Sequence, residues 1–164
     1  MFTPELIASA EAVLAACRQR ELKLATAESC TGGLVSSILT EIAGSSDVVD
    51  RGFVTYSNQA KIDMLGVAAA VIERHGAVSA AVALAMVEGA LKHSAADVAV
   101  SVTGIAGPGG GTEQKPVGLV YIAAHRSGSE PVVQRFHFTS GTRAAIRQDA
   151  VGQALRLISE AIAT

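Results

Sequence analysis

Leu22-Lys23-Leu24-Ala25-Thr26-Ala27-Glu28-Ser29-Cys30-Thr31-Gly32-Gly33 is the stretch whose reading decides the fold. Leu22 to Ala27 reads as an apolar strand, followed by small hydroxyl residues, two glycines and a new apolar pattern. A strand-to-helix turn of this composition sets a side-chain oxygen at the edge of a sheet, facing the positive end of a helix. That position suits a nucleophile or an anion site. It equally suits a plain Ser or Thr cap with glycines for a tight turn.

Working outward, helix and strand patterns alternate. Thr3-Pro4-Glu5 opens a helix that runs to about Cys17, with a cap, a proline at the first position and an acid in the first turn. After the strand, a helix runs from about Gly33 to Glu41, and Gly44-Ser45-Ser46-Asp47 forms a loop. Val48 to Tyr56 reads as a strand, with Gly52 as a bulge. Ser57 caps a short helix through Leu65, closed by Gly66. Another short helix ends near His75-Gly76, and Ser79 opens a long one to about His93. Asp97 to Thr103 is the cleanest buried strand, and Gly104 to Pro116 is a glycine-rich loop. Val117 to His125 and Pro131 to Phe138 are strands joined through Arg126-Ser127-Gly128-Ser129 as a hairpin, and Thr142 opens the last helix. The expected fold is α/β: a three-layer α/β/α arrangement of one mixed, mostly parallel sheet covered by helices on both faces, with the late hairpin antiparallel. No repeat or linker interrupts the pattern, so residues 1–164 are expected to form one domain.

Composition narrows the function classes. With 164 residues, 49% hydrophobic and 17% charged, the chain has ample material for a core and does not read as disordered. The net charge is -2 and the basic residues are scattered, so nucleic acid is not an expected partner. No apolar run is long enough to cross a bilayer, and the N-terminus lacks the basic flank and apolar core of a secretion signal. Cys17 and Cys30 have no metal-ligand or redox spacing, and Cys17 reads as core filler. A reducing, cytoplasmic setting is the simplest inference. No metal site or cofactor is expected. The Ala-rich helices would allow packing against a second copy, leaving a homo-oligomer open.

Three features carry chemistry. Ser29 needs a base to become a nucleophile. His75, His93, His125 and His137 all lie at helix ends or strand interiors and pair with no acid at useful spacing. Lys61, after Tyr56-Ser57-Asn58, is the more attractive base. Strands ending at Ala27, Tyr56 and Thr103, if parallel, bring Ser29, Lys61 and Thr103 to one sheet edge, where open α/β sheets bind ligands. A lysine desolvated there loses some preference for its charge and can accept a proton. The alternative is an ordinary solvated helix lysine. Thr103-Gly104-Ile105-Ala106-Gly107-Pro108-Gly109-Gly110-Gly111 leaves backbone N–H groups open to an anionic ligand, or is a flexible connection. It lacks the Gly-Lys-Ser/Thr ending of a phosphate-binding loop and the following helix of a dinucleotide fingerprint. Arg143, at the start of the last helix, either clamps a phosphate or carboxylate or is simply exposed.

Together these stretches resemble the C-terminal domain family of CinA, the competence/damage-inducible proteins, in its stand-alone nicotinamide-nucleotide amidase form. The resemblance rests on Ala25 to Gly33, Ile42 to Ser46, Arg51 to Asn58, His75 to Ser79, Ser101 to Pro108 and Lys115 to Gly118, in the family's order across nearly the whole chain. It implies hydrolysis of the carboxamide of nicotinamide mononucleotide, a small-molecule nucleotide substrate, in pyridine nucleotide recycling. It implies Ser29 as nucleophile and Lys61 as base, with Tyr56 close by. Backbone N–H groups of Cys30, Thr31, Gly32 and Gly33 are then expected to hold the oxyanion. Thr103, Gly104, Ile105, Ala106, Gly107 and Arg143 are expected to bind substrate. Family members often carry a second, N-terminal nucleotide-processing domain; the expectation here is the amidase-like unit alone. Two other classes stay open: a non-catalytic nucleotide-binding module acting through partners, and a phosphotransferase using the glycine-rich loop.

Overall fold

The computed structural model describes residues 2–164, which form six α-helices and one five-stranded sheet. Helix α1 (Pro4–Gln19) begins where Thr3 Oγ1 accepts from Leu6 N–H, with Pro4 where no donor is needed. Strand β1 (Leu24–Glu28) leads through a tight turn into α2 (Leu34–Glu41). A single 3-10 turn, Ser45–Asp47, precedes β2 (Val49–Val54). Three helices follow: α3 (Asn58–Leu65), α4 (Ala69–His75) and α5 (Ala80–Lys92). Ser57 and Ser79 cap the first and last of these through their hydroxyls. Gly66 closes α3 at φ +68, a conformation that glycine adopts without strain. Strands β3 (Val98–Gly104), β4 (Leu119–Arg126) and β5 (Val132–His137) lead to α6 (Arg143–Ala163), capped by Thr142.

The sheet order is β2-β1-β3-β4-β5. Strand β1 is parallel to both β2 and β3, whereas β4 runs antiparallel to β3 and to β5. The chain leaves β1 toward β2 on one side and later crosses to β3 on the other. The carboxyl ends of β1 and β3 therefore diverge at a topological switch point, where a crevice opens outside the sheet. The sequence-derived order of elements and the mixed, mostly parallel three-layer fold are both observed.

Side-chain alternation assigns the two faces. Leu24, Val98, Val100, Val102, Val120, Ile122 and Ala124 point into a cluster with buried residues of α1, α2 and α6. Ala25, Ala27, Ala99 and Ala123 point the other way, against Val82, Ala83, Met86, Val87 and Ala90 of α5. Small residues on this second face let α5 lie against the sheet, and α5 in turn packs tightly on α3: a Cβ on Gly89 would come within 2.1 Å of the Leu65 carbonyl oxygen. Ser101 sits within that layer, donating to Ala83 O at 2.6 Å.

Two local features depart from the sequence reading. The register of β1 against β2 jumps from Leu24↔Val49 to Ala25↔Arg51, so the irregularity lies at Asp50 and not at Gly52. Gly52 answers a different need: a Cβ there would meet Ser36 Oγ at 2.1 Å and Thr26 Oγ1 at 2.9 Å. Second, β1 continues one residue beyond Ala27, which turns the Glu28 side chain inward beneath α2. Its carboxylate is fully buried and accepts from the backbone N–H groups of Gly33 (3.0 Å), Val35 (3.1 Å) and Ser36 (2.8 Å). It thereby satisfies the first orphan donors of α2, whose N-cap Gly33 has no side chain to do so. Glu28→Gln sets an amide N–H₂ against donors that need an acceptor. It is expected to lower the unfolding free energy by about 2–3 kcal/mol in urea titration, whereas Glu41→Gln on the exposed end of α2 leaves it within about 0.5 kcal/mol.

Candidate active site

Ser29 follows directly on β1, and Lys61 lies in the second turn of α3. Alternation along β1 turns Ser29 away from Glu28, onto the α5 side of the sheet. Lys61 Nζ reaches in from α3 and stands 3.2 Å from Ser29 Oγ and 2.8 Å from Thr55 O. The lysine is only 1% exposed, and Ser29 8%. No carboxylate pairs with Lys61 among the described residues. Burial pushes its pKa down from the usual 10.5, because the charged form loses water without gaining a counter-ion. Cys30 opposes this only as a thiolate. Burial in turn raises the Cys30 pKa to about 11, so the opposing charge is absent near neutral pH.

The turn after Ser29 is built from both sides. Gly32 N–H donates to Ser29 O at 3.0 Å, and Gly33 N–H to Glu28. Neither Cys30 N–H nor Thr31 N–H donates to a protein oxygen among the described residues. The four backbone groups expected at an oxyanion site thus divide into two that are engaged and two that are open. From α6, Arg147 donates through Nε to Cys30 O (3.1 Å) and through Nη2 to Thr31 O (2.8 Å). Sequence reasoning missed Arg147. It lies 116 residues from Thr31 in an ordinary helix pattern, and only the tertiary fold brings the two together.

Above Ser29 and Lys61 opens a cleft of about 280 Å³. Its walls include Tyr56 and Asn58 from the β2–α3 turn, Ala77 and Val78 from the α4–α5 loop, and residues 103–107 with Gly109 and Gly110 from the glycine-rich loop. Arg143 closes one side, donating to Gly107 O (2.7 Å) and Tyr56 Oη (2.9 Å). Of the residues expected to bind substrate, Thr103, Gly104, Ile105, Ala106, Gly107 and Arg143 all line this cleft. The Thr103 hydroxyl already gives its proton to Ala77 O at 2.8 Å, so toward a ligand it can only accept. Asn58, Ala77 and Val78 carry no local signal of a role in the sequence; their place on the wall depends on how α3 and α5 dock. Arg143 is the permanently charged side chain on the wall, and no acidic side chain lines the cleft among the described residues. The cleft therefore favours an anionic ligand. The four histidines do not line it.

The CinA C-terminal domain family matches residues 7–162. The chain belongs to that family. It is 48% identical over 158 residues to the nicotinamide-nucleotide amidohydrolase PncC of Escherichia coli K12, covering 96% of this chain and 95% of that protein. It is also 48% identical over 153 residues to a putative competence-damage inducible protein of Caldicellulosiruptor bescii, where the match covers 93% of this chain. The chain spans about a third of that longer relative, 36% of its length. Among solved structures, the competence/damage inducible protein CihA of Agrobacterium tumefaciens superposes with a TM-score of 0.96 at 46% identity, covering 100% of this chain and 99% of the other. No helix among the described residues is long and apolar enough to cross a membrane.

Cys30 sits beside Ser29, yet its chemistry is muted. It is 6% exposed with a pKa of about 11, and Cys17 is fully buried with a pKa pushed to about 11 by the same loss of water. Both thiols are free. Neither is expected to react with maleimide in native protein at pH 7 over an hour, whereas urea-unfolded protein takes up two equivalents by intact mass.

Proposed function

We propose that this chain is a nicotinamide-nucleotide amidohydrolase that converts nicotinamide mononucleotide to nicotinic acid mononucleotide and ammonia through a Ser29–Lys61 pair. The reading is carried by one observation: a buried lysine amine without a counter-ion stands 3.2 Å from the hydroxyl of a serine at the sheet's switch point. It is supported by the full-length similarity to the Escherichia coli amidohydrolase and by the basic cleft above the pair.

In the reactive state Lys61 is neutral. Two of its hydrogens remain available, one held by Thr55 O, and its lone pair faces the Ser29 hydroxyl hydrogen. Ser29 Oγ attacks the carboxamide carbon while Nζ takes the proton. The carbonyl oxygen becomes an oxyanion facing the open N–H groups of Cys30 and Thr31. Lys61 then gives its proton to the departing nitrogen, and ammonia leaves an acyl-serine. A water, deprotonated by the again neutral Lys61, attacks the ester carbon; that proton returns to Ser29 Oγ as the ester bond breaks, and the acid formed releases its remaining proton to solvent as the carboxylate product. Tyr56, beside Arg143 at the mouth, and the glycine-rich loop hold the nucleotide, with Arg143 supplying charge to its phosphate. An alternative without catalysis, a nucleotide-binding module, predicts binding with no ammonia.

Ser29→Ala and Lys61→Ala are each expected to lower kcat for ammonia release by about 10³-fold or more with the fold intact by circular dichroism. Near-normal turnover by Ser29→Ala overturns the nucleophile. The sign of the pH effect follows from the pKa direction. The working form of Lys61 is deprotonated, so activity is lost as pH falls through its pKa. The rising limb of kcat/KM against pH is therefore expected to have its midpoint below 10.5. Lys61→Arg, which keeps its proton throughout this range, abolishes the limb along with the activity.

A further inference from the structure

We infer that Arg147 is a positioning residue for amide hydrolysis: it holds the central peptide of the Ser29–Gly32 turn so that Thr31 N–H faces the developing oxyanion. This rests on the amidase reading above.

The geometry is specific. The bond from Gly32 N–H to Ser29 O closes a four-residue turn whose central peptide joins Cys30 to Thr31. In a trans peptide the C=O and N–H groups point in opposite directions. Arg147 Nε, 3.1 Å from Cys30 O, pins that carbonyl toward α6 and so fixes Thr31 N–H on the other side. Thr31 N–H donates to no protein oxygen among the described residues. The second arm of the fork, Nη2 on Thr31 O at 2.8 Å, holds the following peptide in the orientation that closes the turn. Rotation of the central peptide is the conformational freedom that such turns retain, and the guanidinium removes it.

Two further observations separate this role from an incidental surface tie. None of the ion pairs among the described residues involves Arg147, so its charge is not spent on a carboxylate. Gly32, at φ +59, packs directly against the fork: a Cβ there would be in van der Waals contact with Arg147 Nη2, at 3.4 Å. Hydrogen bonds from a cation are stronger than neutral ones, and a cation on a peptide carbonyl polarises the N–H of the same peptide. Arg147 thus both aims the donor and strengthens it, without touching substrate.

The test is steady-state ammonia release from nicotinamide mononucleotide by wild type, Arg147→Lys, Arg147→Met and Arg147→Ala, with Tm recorded for each. Removing one oxyanion donor costs about 10²-fold in kcat, so Arg147→Met is expected to approach that loss while KM moves less than about threefold. Arg147→Lys recovers part of it, since an ammonium holds one carbonyl where the fork holds two. Millimolar guanidinium restores turnover to Arg147→Ala, and equimolar urea does not. Arg147→Met with kcat within about twofold of wild type overturns the assignment alone. So does a kcat loss that guanidinium leaves untouched and that Arg147→Lys, with native Tm, fails to lessen. A wild-type protein that releases no ammonia overturns the amidase reading and this assignment together.

Discussion

The site depends on what the Glu28 carboxylate does. A fully buried carboxylate is tolerable only if its charge is met by donors, and three backbone N–H groups at the start of α2 meet it. Thr26 Oγ1 adds a fourth donor at 3.2 Å. The helix terminus is therefore closed by an internal anion and is not free for an external one. Among the described residues, the N–H groups that precede it, at Cys30 and Thr31, remain open. Helix α2 is anchored to β1 by the residue immediately before Ser29, which fixes where the turn begins.

The sheet then acts as a partition. Glu28 and Ser29 are consecutive, so they face opposite layers. The carboxylate, consumed by α2, offers nothing to the amine of Lys61, which comes from α3 on the other face. A carboxylate on the lysine's side would have raised its pKa; here burial acts without compensation and lowers it. The same arrangement carries a stability cost. Wherever Lys61 is protonated, its charge is desolvated with only Thr55 O and Ser29 Oγ to hold it. Because its folded pKa lies below the unfolded value of 10.5, the folded state binds fewer protons, and that cost fades as pH rises toward 10.5. At this one side chain the burial that lowers the pKa also carries a cost in stability.

What the sequence disclosed and what it hid follow from the range of the interactions. The strands, the caps at Thr3, Ser57, Ser79 and Thr142, and the convergence of Ser29, Lys61 and Thr103 follow from local patterns plus one topological rule. Gly52 was misread as a bulge, since its partners Ser36 and Thr26 are brought over it only by the packing of α2. The inward turn of Glu28 depended on β1 running one residue longer than its apolar pattern. Arg147 was invisible because nothing in a helical Arg signals that two carbonyls from the other end of the chain will meet it. Thr103, expected to bind ligand, is half spent on Ala77 O, a contact fixed by the docking of the α4–α5 loop.

Helix α6 explains how a cleft walled by loops keeps its width. Arg143 and Arg147 are one turn apart and so share a face of the helix. Arg143 grips the glycine-rich loop at Gly107 O and the β2–α3 turn at Tyr56 Oη, while Arg147 grips the turn after Ser29. The glycine-rich loop, the β2–α3 turn and the turn after Ser29 are thus tied to one rigid element. That element is seated on the sheet by Ile146, Ala150, Val151, Ala154, Leu155 and Ile158, all buried in the larger core. Movement of one wall relative to the others requires α6 to shift over the sheet, which close-packed interiors resist. The glycines leave the loop backbone uncovered toward the cleft, and stiffness that glycine cannot supply comes from Arg143 on Gly107 O.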